Sequence, residues 1–499
     1  MKKTNRINVL IILSVLSLVV LYIVSRLYNL TSIPIFTDEA IYIRWAQIAL
    51  HDPNFRFISL TDGKQPSFIW IIMVLMKFIE DPLVAGRIAS VLSGFVGVIG
   101  AGVLGSYVFK DKKVGLWASL LYCISPFFLL YDRLALYDSL TAALYTWALF
   151  LSFLLVRTLR LDVALILGMV LGFGMLTKSS ALNSIALLPF FLIFLYSWPL
   201  NVKKILKFLG LSTLASVMGF FMYNTLRVSP WFYLIGRKNE EFVYSFSDWL
   251  SHPFQYVLGN AQGLTQWLVV YMTIPLLFIA ILAIFYKKEF LKERLVLAAS
   301  FLVPFGILAL LGKVLFPRYL LFMSVPLMIL VAWMFVTISK TIRSTYIRWG
   351  IIILCLGYPI YISSMLLLNP IQAPIPQTDR YQLLDDWPSG YGVKEVIAFA
   401  QDKSKEGPLF IATEGTFGLF PAALEIYLNE NKRIETKGYW PLNDDVVYKE
   451  LVPKSIDVPT YIVFKEENDI PTNWPLKKVF EFRRGKGTTY LRLYQVVPR

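Results

Sequence analysis

The apolar residues of this chain fall in long unbroken blocks, not in the alternation of a half-buried strand or the 3.6-residue stripe of a soluble helix. Blocks over 7–27, 84–109, 114–131, 139–156, 161–176, 181–198, 205–223, 265–286, 295–311, 319–339 and 349–368 are each long enough to approach or cross the apolar thickness of a bilayer. They predict eleven membrane spans. The block 67–79 is shorter, roughly 13 residues, a length expected of a re-entrant or interfacial segment. No small-residue cleavage signature follows the first block, so it is expected to stay as a span.

Beyond about residue 370 the pattern changes. Short apolar runs at 409–412, 461–464, 479–482 and 490–497 predict strands, and amphipathic stretches near 393–400 and 419–428 predict helices between them. The expected organisation is a membrane domain over 1–369 and an α/β domain over 370–499.

Composition agrees: 57% of the 499 residues are apolar and 16% charged, which leaves too little polar surface for a soluble globule. The net charge of +15 lies in short clusters between the apolar blocks, not on one face, which argues against nucleic acid and for contact with anionic lipid heads. With 67–79 not crossing, the clusters at 110–113, 157–160, 203–207, 287–294 and 340–348 share the side of Lys2, Lys3 and Arg6. The positive-inside rule makes that side the cytoplasm and places loops 28–83, 132–138, 177–180, 224–264 and 312–318 and the terminal domain outside. A bacterial plasma membrane is the expected location. Cys123 and Cys355 lie inside apolar blocks and have no metal-ligand spacing.

The outer segments hold the unusual polar residues. Asp38 and Glu39 follow the first span; a carboxylate at low dielectric suits a general base, while the alternative is capping of the following helix. Asp132, Arg133 and Asp138 share one short loop, where Asp132 and Arg133 are expected to neutralise one another. Asp138 could orient an acceptor or share a divalent ion with Asp38, the single metal site these residues suggest. Lys178 stands alone at a span end, either as an anion contact or snorkelling to headgroups. Lys64, Lys313 and Arg318, followed by Tyr319, add cations suited to a phosphate held at the membrane surface. The loop 224–264 mixes aromatics with charges, including Arg237 and His252, as an interfacial segment or a lid would. The two histidines, His51 and His252, have no metal or nucleophile–base spacing.

Taken in order, the Asp38-Glu39 pair, Lys64-Gln65-Pro66, the stretch Arg133-Leu134-Ala135-Leu136-Tyr137-Asp138, Leu176-Thr177-Lys178 and Arg318-Tyr319 resemble the GT-C glycosyltransferases. The resemblance covers about residues 1–370 and is similar to protein O-mannosyltransferases and lipid A aminoarabinose transferases; Lys64-Gln65-Pro66 departs from the family's usual Lys-Pro-Pro or His-Pro-Pro. It implies an α-helical polytopic membrane protein of the GT-C type with about 11 transmembrane helices and a C-terminal extracytoplasmic α/β domain. It further implies a polyprenyl-phosphate sugar donor, a protein, lipid or glycan acceptor, and inversion at the anomeric carbon. Asp38 is then the base, with Glu39 beside it and Asp138 a second essential acid, and Lys64, Lys178, Arg318 and Tyr319 contact the donor phosphate. The rival reading is a secondary transporter or flippase for an anionic lipid or sugar, which would place its charges at broken helices near the midplane and show paired halves. Here they gather at span ends.

Overall fold

The computed structural model describes residues 2–497 except Ser197, Glu467 and Asn468, with side chains described from residue 9. The side chains of Lys2, Lys3 and Arg6 therefore lie outside the described residues. Among the described residues, seven helices are long and apolar enough to cross a membrane: Val9–Leu27, Pro82–Phe109, Asp138–Thr158, Val202–Val228, Leu291–Leu311, Pro317–Thr341 and Thr345–Leu368. An eighth is reached by joining Val257–Met272 to Ile274–Phe285, which bend by 104° at Thr273. Thr273 leaves helical geometry at φ 66° and is followed by Pro275 in the first turn of the next helix.

The expected count of eleven is lowered by three blocks that are interrupted or short. The block 114–131 breaks before Pro126 into Lys112–Ile124 and Pro126–Tyr131, because proline cannot continue the helix that precedes it. The block 161–176 becomes the 15-residue helix Leu161–Met175. The block 181–198, of which Ser197 is outside the described residues, breaks into Leu182–Ala186 and the 3₁₀ turns Leu188–Phe194 around Pro189. The segment 67–79 contains the nine-residue helix Ser67–Leu75, about 14 Å long and too short to span.

The chain divides into two compact units. The first comprises Met1–Tyr28, Phe57–Phe68 and Ile88–Leu368 and is helical. Its core is the helix segment Leu321–Thr341, which packs against Lys112–Ile124, Asp138–Thr158, Ile274–Phe285 and Leu291–Leu311. Two buried arginines close helix ends here. Arg294 donates to the carbonyls of Ala283, Ile284, Tyr286 and Lys287 and lies 4.7 Å from the Trp333 ring, satisfying acceptors that the helix Ile274–Phe285 cannot pair itself. Arg26 does the same for Tyr122 and Cys123, and pairs with Asp132 at 3.3 Å. Ser139 and Tyr22 also donate to Asp132. Asp132 and Arg133 thus do not neutralise one another: adjacent residues diverge, and Arg133 donates instead to the Tyr28 carbonyl.

The second unit comprises Asn29–Arg56, Ile69–Arg87 and Asn369–Arg499. Its sheet has the order β2-β1-β3-β5-β4, with β1 (Leu409–Glu414), β2 (Ile434–Tyr439) and β3 (Thr460–Phe464) parallel, and β4 (Leu476–Arg483) and β5 (Tyr490–Val496) antiparallel. β1 and β3 are buried along their whole length, as parallel strands covered on both faces must be. On one face Phe410, Ile462, Phe464 and Val496 pack with Val447, Leu451 and Trp474; on another side Phe399 of the helix Val393–Lys403 meets Tyr461 and Phe480.

The first long loop folds with this unit. Helix Thr37–His51 packs on helix Ala422–Leu428, where Arg44 pairs with Glu425 at 2.8 Å and Gln47 donates to the Ile426 carbonyl. Its start is fixed by Thr37, which donates through its amide and hydroxyl to the Pro388 carbonyl, and by an antiparallel bridge between Phe36 and Ser389. The terminal domain is therefore not confined to residues 370–499.

Reversing one charge of the Arg44–Glu425 pair tests this joint folding. Arg44→Glu should lower the unfolding temperature, at a cost of about 1 kcal/mol for so partly exposed a pair, and Arg44→Glu with Glu425→Arg should restore it. Thermal unfolding in detergent reads both.

Candidate functional site

In the helical unit, two of the elements singled out by sequence lie side by side. Ser67 donates its amide to the Leu176 carbonyl at 3.1 Å and shares a 2.7 Å hydroxyl bond with Thr177, and Gln65 donates to Ser179 at 2.8 Å. The Lys64-Gln65-Pro66 and Leu176-Thr177-Lys178 segments are thus fastened to each other. Gln65, where the resembling family has proline, supplies one of the fasteners.

Lys178 does not snorkel. Its ammonium pairs with Asp138 at 2.7 Å and sits over the rings of Tyr137, 4.9 Å away, and Tyr319, 4.7 Å away. The turn before helix Asp138–Thr158 and the turn Pro317–Leu320 are thereby joined to the same group. Arg318 stacks its guanidinium 5.0 Å from Phe316 within that turn. Asp138 Oδ1 holds Lys178, while Asp138 Oδ2 is buried with no hydrogen-bond partner among the described residues. A buried carboxylate oxygen in that state is a seat for a donor group.

Lys64 pairs with Asp62 at 3.3 Å, and so does Lys238, at 3.0 Å. Lys238 also reaches Glu241 at 2.9 Å; burial alone would lower its pKa, but Glu241 and Asp62 hold it above the ordinary lysine value. Two ammonium groups meet at the Asp62 carboxylate, and Glu241 balances the second of them, next to Gln65. Gly63 makes the arrangement possible: it is left-handed at φ 65°, and a Cβ there would collide with Leu234 O and Lys238 Cβ. Sequence reasoning missed Lys238, whose charged neighbourhood at 237–241 reads as an ordinary solvated helix face.

The rest of the loop 224–264 is tied down through Val243, which bridges Gly312, and through Lys313, whose amide donates to the Phe242 carbonyl. Lys313 Nζ lies 3.4 Å from the Glu240 carbonyl. Arg237 is exposed beside Tyr233, and His252 is exposed where it ends the helix Phe246–Ser251. Neither is drawn into the Lys178 cluster.

Asp38 belongs to the second unit, in the first turn of helix Thr37–His51. Glu39 next to it is completely buried, receives the Phe36 amide at 3.0 Å, and takes Arg87 on both oxygens at 2.9 and 2.8 Å. Arg87 also donates to the carbonyls of Leu30, Ile33 and Pro34. These contacts fix the turn that leads into Asp38. Asp132, expected as a further contact, is likewise fully buried in the network with Arg26.

Among the described residues no three His, Cys, Asp or Glu side chains gather as metal ligands.

Residues 63–223, which hold Lys64, Asp138 and Lys178, match the family model described as dolichyl-phosphate-mannose-protein mannosyltransferase. The fold is similar to that of ArnT from Cupriavidus metallidurans. In the apo state that structure gives a TM-score of 0.59 at 14% identity, over 100% of this chain and 99% of that one. Bound to undecaprenyl phosphate it gives 0.60 at 14%, over 97% and 98%. The archaeal oligosaccharyltransferase AglB from Archaeoglobus fulgidus, in complex with an inhibitory peptide and a dolichol-phosphate, gives 0.51 at 14%, over 90% of this chain and 69% of that one. No curated protein matches the chain in sequence.

Glu39→Ala leaves Arg87 buried without its counter-charge. It should destabilise by about 3–5 kcal/mol, whereas Glu39→Ala with Arg87→Leu should recover much of the loss. Denaturant or thermal unfolding in detergent distinguishes this from a catalytic role, which would cost activity and spare stability.

Proposed function

We propose that this chain, an integral membrane protein with the fold of the GT-C glycosyltransferases, transfers a glycosyl group from a polyprenyl-phosphate sugar to an acceptor at the extracytoplasmic face. The observation that carries this reading is the cluster in which Lys178, Asp138, Tyr137 and Tyr319 meet beside the fastened Lys64 segment. Cations and hydroxyl-bearing rings at the ends of apolar helices suit a lipid-borne phosphate. The match to ArnT bound to undecaprenyl phosphate supports the same donor class.

In the proposed reaction the acceptor hydroxyl gives its proton to the Asp38 carboxylate while its oxygen bonds to the anomeric carbon. The bond from that carbon to the phosphate oxygen breaks, and the electron pair leaves with the lipid phosphate. One displacement from the opposite face inverts the configuration. A phosphate is a competent leaving group without prior protonation, so the second acid of glycoside hydrolysis is not required. Lys64, Lys178 and Arg318 stabilise the charge that develops on it. Asp138 holds Lys178 and offers Oδ2 to a sugar hydroxyl. Glu39, locked by Arg87, fixes the turn that presents Asp38.

The test supplies the purified protein with a panel of polyprenyl-phosphate sugars and follows release of the lipid phosphate. The expected results are consumption of at least one donor, an inverted product by NMR, and a tenfold or greater fall in kcat/KM for Lys64→Gln and Lys178→Gln. A retained configuration, or both lysine variants at full rate, would contradict the phosphate-contact assignment and the single displacement.

A further inference from the structure

The second unit carries a site that the proposed reaction does not use. Its three parallel strands end side by side, β1 at Glu414, β2 at Tyr439 and β3 at Phe464, and the residues that follow are Gly415, Trp440 and Lys465. The connection leaving β1 runs to β2 on one side, and the chain leaving β3 runs to β4 and β5 on the other. Such a divergence at the carboxyl ends of parallel strands is where open α/β sheets take ligands.

The side chains there have an imbalance. Lys465 is only 8% exposed, and its ammonium stands 4.4 Å from the Trp387 ring and 5.9 Å from the Trp440 ring. Among the described residues no carboxylate pairs with it. Arg484 is fully buried; Nε donates to the Ser389 carbonyl, while Nη1 and Nη2 have no hydrogen-bond partner among the described residues. Asp386, Glu414 and Glu466 act on Arg484 through space; Glu414 also receives the amides of Lys465 at 2.7 Å and Glu466 at 2.9 Å, and Asp386 that of Trp387 at 2.7 Å, so none of them is in direct contact with the Lys465 ammonium. Glu466 itself is exposed. Contact with an indole offsets only part of the cost of taking an ammonium out of water. An anion would close the difference. Trp440 is 64% exposed, an apolar plate next to the cation.

We propose that Trp440, Trp387 and Lys465 bind an anionic saccharide, a sugar ring carrying a phosphate or carboxylate, and that this is the acceptor subsite. The ring lies on the indole and the anion meets Lys465. Its place in the unit supports the acceptor role, which rests on the reaction proposed above. The carbonyl of Pro388, next to Trp387, holds Thr37, and a Cβ added to Gly418 of the loop after β1 would lie 3.6 Å from the Thr37 methyl. Thr37 immediately precedes Asp38.

Ligand-observed NMR on the full-length protein, without donor lipid, tests the site apart from the reaction. The probes are glucose 6-phosphate, galacturonic acid, neutral glucose and inorganic phosphate. Both acidic sugars should bind at least tenfold more tightly than glucose, and glucose 6-phosphate more tightly than phosphate. Lys465→Gln should remove the preference for charge, Lys465→Arg should keep it, and Trp440→Ala, at an exposed position, should weaken every sugar. Equal binding of acidic and neutral sugars, or Trp440→Ala without effect, would overturn the site. Binding without glycosyl transfer from any donor would overturn the reaction and leave the site standing.

Discussion

Glu39 and Arg87 are both removed from water, and each would be strongly unfavourable there without the other. Their two parallel hydrogen bonds, with the carbonyls of Leu30, Ile33 and Pro34 gathered on the same guanidinium, turn a loop at the end of the first apolar helix into a fixed structure. The first turn of helix Thr37–His51, and so the backbone that carries Asp38, inherits its position from this pair. A carboxylate on a mobile loop would sample many positions; one on a turn held by a buried ion pair and by Pro388 starts in place.

The cation sites follow a similar economy of charge. Lys178 rests against Asp138 and two tyrosine rings, and Lys64 shares Asp62 with Lys238. Each ammonium rests directly on a carboxylate. Lys238 lies on helix Leu234–Phe242, which Gly63 allows to sit directly on the loop 58–63. The long loop 224–264 is therefore a docked structural part of the helical unit at this point, whatever motion its exposed stretch Phe246–Ser251 has.

Much of the membrane architecture was legible because span length and block hydrophobicity are one-dimensional properties. The count was overestimated where a proline or a bend interrupts a block, at Pro126, Pro189 and Thr273, since composition alone does not register a break in direction. Four of five strands were readable as apolar runs; β2 was not, because its sequence Ile434-Glu435-Thr436-Lys437-Gly438-Tyr439 is that of a sheet edge, with polar side chains facing out. Motif order singled out Lys64, Asp138, Lys178 and Tyr319; the structure joins Asp138, Lys178 and Tyr319, while Lys64 pairs with Asp62. Pairings across the chain were hidden: Asp132 with Arg26, 106 residues away, and Glu39 with Arg87, 48 residues away. Arg87 did leave a signal, a cation inside the first turns of an apolar helix, which is costly unless it has a partner.

The central claim is that Asp38 removes the acceptor proton, and lipid-phosphate release by Asp38→Asn tests it most directly. With a donor that the wild type consumes, the variant should keep donor affinity and thermal stability but lose about a hundredfold or more in rate, the contribution expected of a positioned general base. An Asp38→Asn protein that turns over at the wild-type rate would contradict it.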